Sequence, residues 1–187
     1  MIEEKIYSGV DFTTNYLPKS EYELCRFEQC IFSNSDLSNI TFNECEFIEC
    51  DLSLSNIKHT VFNEVSFVKC KLLGLHFNNC DSLFMSMNFD DCNLELASFF
   101  DLSLKRTQFK KCNFNGADLT RSDFTQTSFE DCDFKAAIFD GTILDQADLR
   151  TAFNFNIDPE NNSLKKARFS KENLAGLLLK YQIKIDN

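Results

Sequence analysis

The sequence predicts an all-β solenoid built from five-residue repeats, and three features predict it. First, the periods of a helix (3.6) and of an alternating strand (2) fail over most of the chain, whereas a period of five holds. Second, every fifth residue from Tyr22 to Phe77 is Tyr, Phe, Leu or Ile, twelve positions without an exception. After a slip of two residues the same rule gives fourteen more, from Phe84 to Leu149, so that sixteen of the 21 phenylalanines share one register. Third, two residues before each centre runs a column of small residues, including Cys25, Cys30, Ser35, Cys45, Cys50, Ser55 and Cys70, and later Ala97, Cys112, Ala117 and Cys132. One large and one small inward residue in every five describes a chain that turns a corner every five residues around a narrow, filled interior.

The segments CRFEQ, CIFSN, SDLSN, CNFNG, ADLTR, SDFTQ and QADLR resemble the A-(D/N)-L-x-x consensus of pentapeptide-repeat proteins, over roughly residues 20–153. That resemblance implies a right-handed quadrilateral β-helix with four pentapeptides per coil. Four faces require residues 20 apart to stack, or 22 apart across the slip, and the sequence meets the requirement. One face then carries Phe27, Phe47, Phe67, Phe89, Phe109, Phe129 and Leu149, and its small column is Cys30, Cys50, Cys70, Cys92, Cys112, Cys132 and Ala152. Strand-like stacking at ~4.8 Å makes about seven coils a rod of ~33 Å.

In chain order, residues 1–19 read as an irregular N-terminal lead-in, where Phe12 stands in register without good neighbours. Residues 20–156 form the solenoid, with a corner bulge at 78–83, and Met85 and Phe100 beside it are expected to point outward as a contact patch. Residues 157–187 close the rod. The repeat stops at Ile157, Asp158 and Pro159, and Ser170 is placed to N-cap a short α-helix whose Leu174, Leu177, Leu178 and Tyr181 follow i, i+3, i+4, i+7 spacing. That stripe covers the last coil and is the candidate dimer surface; the alternation of Ile183 and Ile185 suggests a short strand over 180–186.

The formal charge of −10 favours basic protein partners and argues against nucleic acid. It is segregated, with about −12 on residues 1–156 and +2 on 157–187. Nine cysteines, an odd number without an export signal, read as reduced thiols of a cytoplasmic protein, and no apolar run is long enough to span a membrane. Two histidines, His59 and His76, no C-x-x-C pair and five glycines in total offer no metal, cofactor or phosphate site, so no catalytic residue is assigned and an enzyme is not expected. The candidate partner surface is acidic: Asp90, Asp91, Asp118, Asp123, Glu130, Asp131 and Asp140, interrupted where Lys110 and Lys111 stack between Asp90/Asp91 and Glu130/Asp131.

Phenylalanine and cysteine richness, size and the tail TAFNFNIDPENNSLKKARFS are similar to the Qnr, MfpA and McbG group of pentapeptide-repeat proteins. The resemblance implies a non-enzymatic homodimer, joined by its C-terminal segment, that imitates DNA toward DNA gyrase or topoisomerase IV and protects it from quinolones or a peptide toxin. Qnr proteins carry long projecting loops. This chain has only the two-residue slip and looks more like loop-free members. The alternative is an interaction scaffold with a partner other than a topoisomerase.

Overall fold

The computed structural model describes residues 1–184 as one four-sided β-solenoid. Its parallel pairings run at a spacing of 20 residues, as in Phe27↔Phe47 and Phe109↔Phe129, and at 22 across one insertion, as in Phe67↔Phe89. Four ladders of side chains fill the interior. In chain order the first face carries Ile2, Tyr22, Phe42, Phe62, Leu104, Phe124, Leu144 and Leu164. The second carries Tyr7, Phe27, Phe47, Phe67, Phe89, Phe109, Phe129 and Leu149, the third begins at Phe12 and the fourth at Leu17.

On the second face the strands Ile6–Ser8, Arg26–Glu28, Glu46–Ile48, Val65–Val68, Met87–Asp90, Gln108–Lys110 and Ser128–Glu130 form a seven-stranded parallel sheet. Its rings stack nearly parallel, with centroids 4.7 Å apart for Phe27–Phe47 and 4.9 Å for Phe89–Phe109. Ladders on neighbouring faces meet edge to face, as in Phe109–Phe114 at 5.1 Å, so the rings of the second face have both favoured aromatic geometries. The corners have a uniform device. The second residue after most centres adopts positive φ, between 50° and 62° at Leu24, Gln29, Glu44, Leu54 and Arg106, a region few side chains tolerate and here repeated because the turn demands it. Asp or Asn before the centre relieves the corner by accepting a backbone N–H two residues on, as Asp51 does from Ser53 (3.0 Å) and Asp118 from Thr120 (3.0 Å).

The small column is also polar. Cys50 and Cys70 donate their thiols to the carbonyls of Phe27 and Phe47 in the preceding coil (3.2 Å each), and Ser55, Ser122 and Thr142 do the same on Phe32, Phe99 and Leu119 at 2.6–2.8 Å. Small size admits Ala at this position as well, and where Cys, Ser or Thr stands there its side chain gives the preceding coil a hydrogen bond.

Four expectations change. The lead-in at 1–19 is a coil of the rod: Ile2–Glu3 pairs with Tyr22–Glu23, Tyr7 stacks on Phe27 with a 2° interplanar angle, and Phe12 stacks on Phe32. The bulge lies at 82–86, later than 78–83. Asp81 still pairs with Val61 at spacing 20 while Met87 pairs with Val65 at 22, so the two extra residues enter between them. Phe84, assigned to the ladder, is 65% exposed and Leu83 75% exposed, whereas Met85 packs against the core. Asp81 still caps Leu83 (3.0 Å) in the ordinary corner pattern, but Ser82, which follows it where a centre would stand, is exposed, and Met85 packs against the core in its place.

The solenoid also continues beyond 157, through the bridges Ile143↔Ser163 and Asp148↔Arg168. Finally, the C-terminal α-helix is replaced by two 3₁₀ turns, Leu174–Leu177 and Leu179–Tyr181. Ser170 does not act as the N-cap; its own N–H donates to Asn173 (3.0 Å), whose amide donates to the carbonyls of Leu149 and Ala152 (2.8 and 3.0 Å) and ties the segment to the rod. Gly176 lies against Phe155, where a Cβ would collide with the ring and stand 2.6 Å from the Phe155 carbonyl oxygen, so only glycine fits this seat. Of the suggested strand over 180–186, residues 185 and 186 lie outside the described residues; Lys180 and Tyr181 belong to the second 3₁₀ turn, and residues 183 and 184 are not in a strand.

Candidate protein-interaction surface

A filled rod acts through its surface. The interior is closed by side chains, and the nine cysteines are buried and free. Burial pushes the Cys45 thiol up to about 12 and moves Cys80 in the same direction, so both remain protonated donors in place of nucleophiles. We expect a thiol-specific chromogenic reagent to modify none of the nine within minutes in the native protein and all nine in guanidinium; fast reaction of several native thiols would show an open column. Among the described residues no group of three or more His, Cys, Asp or Glu is arranged to hold a metal, and none of the described helices is long and apolar enough to cross a membrane.

The seven acidic residues singled out from the sequence fall on three faces. Asp90, Asp91, Glu130 and Asp131 lie on the second face, Asp118 and Asp140 on the fourth, and Asp123 on the first. On the second face Lys110 stands in register between Asp90 and Glu130. The same alternation continues with Arg26 against Glu46 (2.8 Å), so the long sheet presents stacked opposite charges. Asp118 and Asp123 are partly committed to turns. Asp123, against the effect of desolvation, is held below the usual carboxylate range by the Thr125 hydroxyl (2.6 Å) and amide and by Lys105 (3.1 Å). Asp36, on the fourth face, is brought to about 2 chiefly by its hydrogen bond from Ser38, with Lys19 adding to it.

A more uniform surface lies elsewhere. Over its first five rungs the first face carries Glu3, Glu4, Glu21, Glu23, Glu44, Glu64 and Asp81 and no Lys or Arg. None of the seven forms a salt bridge among the described residues. Glu3 and Glu23 are direct register partners, an arrangement of like charges that costs stability. Reading the sequence from residue 20 missed this strip, although Ile2, Tyr7, Phe12 and Leu17 carry the period of five back to the start and would have revealed it.

Such a molecule is a repeat solenoid whose working parts are its faces. The chain belongs to the pentapeptide-repeat family: the model described as "Pentapeptide repeat region" matches residues 20–99, and "Pentapeptide repeats (8 copies)" matches 86–116 and 112–150. No curated protein matches it. Among solved structures it is similar to a trypsin-treated form of QnrB1, a plasmid-mediated fluoroquinolone resistance protein, with TM-score 0.79 and 16% identity over 100% of this chain and 91% of that one. A second trypsin-treated form gives TM-score 0.67 at 17% identity over 98% and 99%. HetL, a pentapeptide-repeat protein involved in heterocyst differentiation regulation from the cyanobacterium Nostoc sp. strain PCC 7120, gives 0.59 at 13% identity over 90% and 86%. At these identities the likeness is one of fold.

Proposed function

We propose that this chain is a non-enzymatic, cytoplasmic binding protein that presents an acidic rod to the DNA-binding surface of a type II topoisomerase, DNA gyrase or topoisomerase IV. In doing so it lowers sensitivity to a quinolone or a gyrase-directed peptide toxin. The observation that carries this reading is the unpaired acidic strip of the first face. Its seven carboxylates run from the first rung to the fifth, over ~19 Å at strand spacing, or about one per 3 Å. One strand of duplex DNA presents a phosphate about every 3.4 Å. Carboxylates at that density offer a basic groove the charge it expects of DNA, and make association fast and salt-dependent. The likeness in fold to QnrB1, a fluoroquinolone resistance protein, agrees with the drug-protection side of this reading.

Gyrase supercoiling with and without a quinolone tests the proposal. Wild-type protein is expected to inhibit supercoiling or rescue it from the drug at micromolar concentration. A Glu3→Gln/Glu23→Gln/Glu44→Gln/Glu64→Gln variant should be weaker by about tenfold or more, and four substitutions among the alternating charges of the second face should have little effect. Neither inhibition nor rescue by wild type overturns the topoisomerase reading. The alternating charges of the second face favour a second one, a scaffold that binds a different protein through that sheet; it gains ground if second-face substitutions abolish capture of a partner that the strip variant still binds.

A further inference from the structure

We infer that two copies of this chain pair face to face and antiparallel through the first face, with the bulge at the centre of the contact. The first face has nine rungs: the centres Ile2, Tyr22, Phe42 and Phe62, then the bulge, then Leu104, Phe124, Leu144 and Leu164. The bulge is therefore the middle rung, and the halves on either side differ in charge. Before it lie six of the seven unpaired acids, the seventh, Asp81, being on the bulge rung itself. Beyond it lie Lys105, Arg106, Lys165 and Lys166, offset by Asp123 and Asp145. Arg106, Lys165 and Lys166 form no salt bridge among the described residues.

A two-fold axis along the strand direction through the fifth rung inverts the rod while keeping each outward column on itself. It sets rung one against rung nine and rung four against rung six of the second copy. The columns then place Glu3 opposite Lys165, Glu4 opposite Lys166 and Glu64 opposite Arg106, each pair occurring twice. At the axis Leu83 and Phe84, 75% and 65% exposed, meet their own copies. This is the self-complementarity that an isologous contact requires. Two rungs oppose it: Glu23 faces Asp145, whose carboxylate is already engaged by the Ser163 hydroxyl (2.7 Å) and the Lys165 amide (2.9 Å), and at the axis Asp81, whose carboxylate accepts the Leu83 amide (3.0 Å), faces its own copy. A face ~38 Å long and ~10 Å wide gives on the order of 800 Å² over both copies, below the size of permanent interfaces, so the pair is weak and exchanges rapidly. The pairing stands apart from the topoisomerase reading, but it covers the same acidic strip, so self-association and a basic partner compete.

Sedimentation equilibrium of the full chain tests it, with no topoisomerase present. Wild type should self-associate in about 20 mM salt and dissociate at least about tenfold more readily in about 500 mM salt. Glu3→Lys/Glu4→Lys and Lys165→Glu/Lys166→Glu should each be monomeric alone, and their equimolar mixture should recover the wild-type association, since both ends of a mixed pair regain opposite charges. Phe84→Asp should abolish association while leaving the melting temperature unchanged, because the ring is exposed. The inference is overturned if wild type is monomeric in low salt, if both charge reversals associate as wild type does, as pairing through the C-terminal turns would produce, or if the folded variants do not recover association on mixing. Failure of gyrase binding alongside recovery on mixing would remove the topoisomerase reading and leave this one.

Discussion

Phe109→Ala is expected to lower the stability of the rod by about 3–5 kcal/mol, the range for emptying a buried aromatic site. Phe109 is 1% exposed. Its ring lies between Phe89 at 4.9 Å and Phe129 at 5.3 Å, tilted by only 7° and 8°, and meets the edges of Phe114, Phe99 and Phe124 at 5.1, 6.1 and 6.2 Å. Backbone spacing between coils is set by their hydrogen bonds, so the neighbours cannot slide along the rod to refill the space. Guanidinium unfolding followed by far-UV circular dichroism measures the loss. Tyr7→Ala, in the half-buried first coil, should cost clearly less, because a terminal coil has a neighbour on one side only. A cost for Phe109→Ala below about 1 kcal/mol would mean that the ladders repack freely, contrary to the rigid stacking described.

The second large effect has the opposite sign. Deleting Ser82 and Leu83 joins Asp81 to Phe84, which restores the spacing of 20 and brings Phe84 to the centre of the fifth rung between Phe62 and Leu104. Met85 then moves outward and Met87 keeps its place in the small column. Burying the ring contributes about 2 kcal/mol and its stacking about 0.5–1.5 kcal/mol, less what Met85 loses on leaving the core, so a net gain of about 1–3 kcal/mol is expected. A higher denaturation midpoint checks it. A lower midpoint would mean that Met85 already fills the rung and leaves no room for another ring. The same deletion removes both exposed apolar residues from the middle of the first face and should abolish the pairing inferred above. Stability and association therefore move in opposite directions in one variant, which separates a structural role of the bulge from its role in contact.

Much of this was legible in the residues. The register of five, the 20-residue stacking and the composition of the small column all follow from a repeat, in which each position is sampled many times. Elements that occur once were harder. Periodicity counts two extra residues between Cys70 and Cys92 but is satisfied wherever they enter, and only the pairing of Asp81 with Val61 and Met87 with Val65 localises them. Leucine spacing over Leu174–Tyr181 suits an α-helix, yet Asn173 is held by three carbonyls of the rod and Gly176 seats on Phe155, and those tertiary contacts outweigh a marginal local preference. The surface was least legible: consensus Asp residues such as Asp118 and Asp123 look like free charges in a sequence, whereas their carboxylates serve the corners.

By itself, then, the sequence determined that the chain turns every five residues, that aromatic rings and small residues fill it, and that function must lie outside, because each of these depends on the identity of a residue within its own five-residue unit. The tertiary structure alone decided where the insertion emerges, how the ends are closed and which charges share a face. Those depend on residues 20 or more apart in the chain, and the acidic strip exists only because the fold stacks Glu3 on Glu23 and keeps every Lys and Arg of the first four coils on other faces or at their corners.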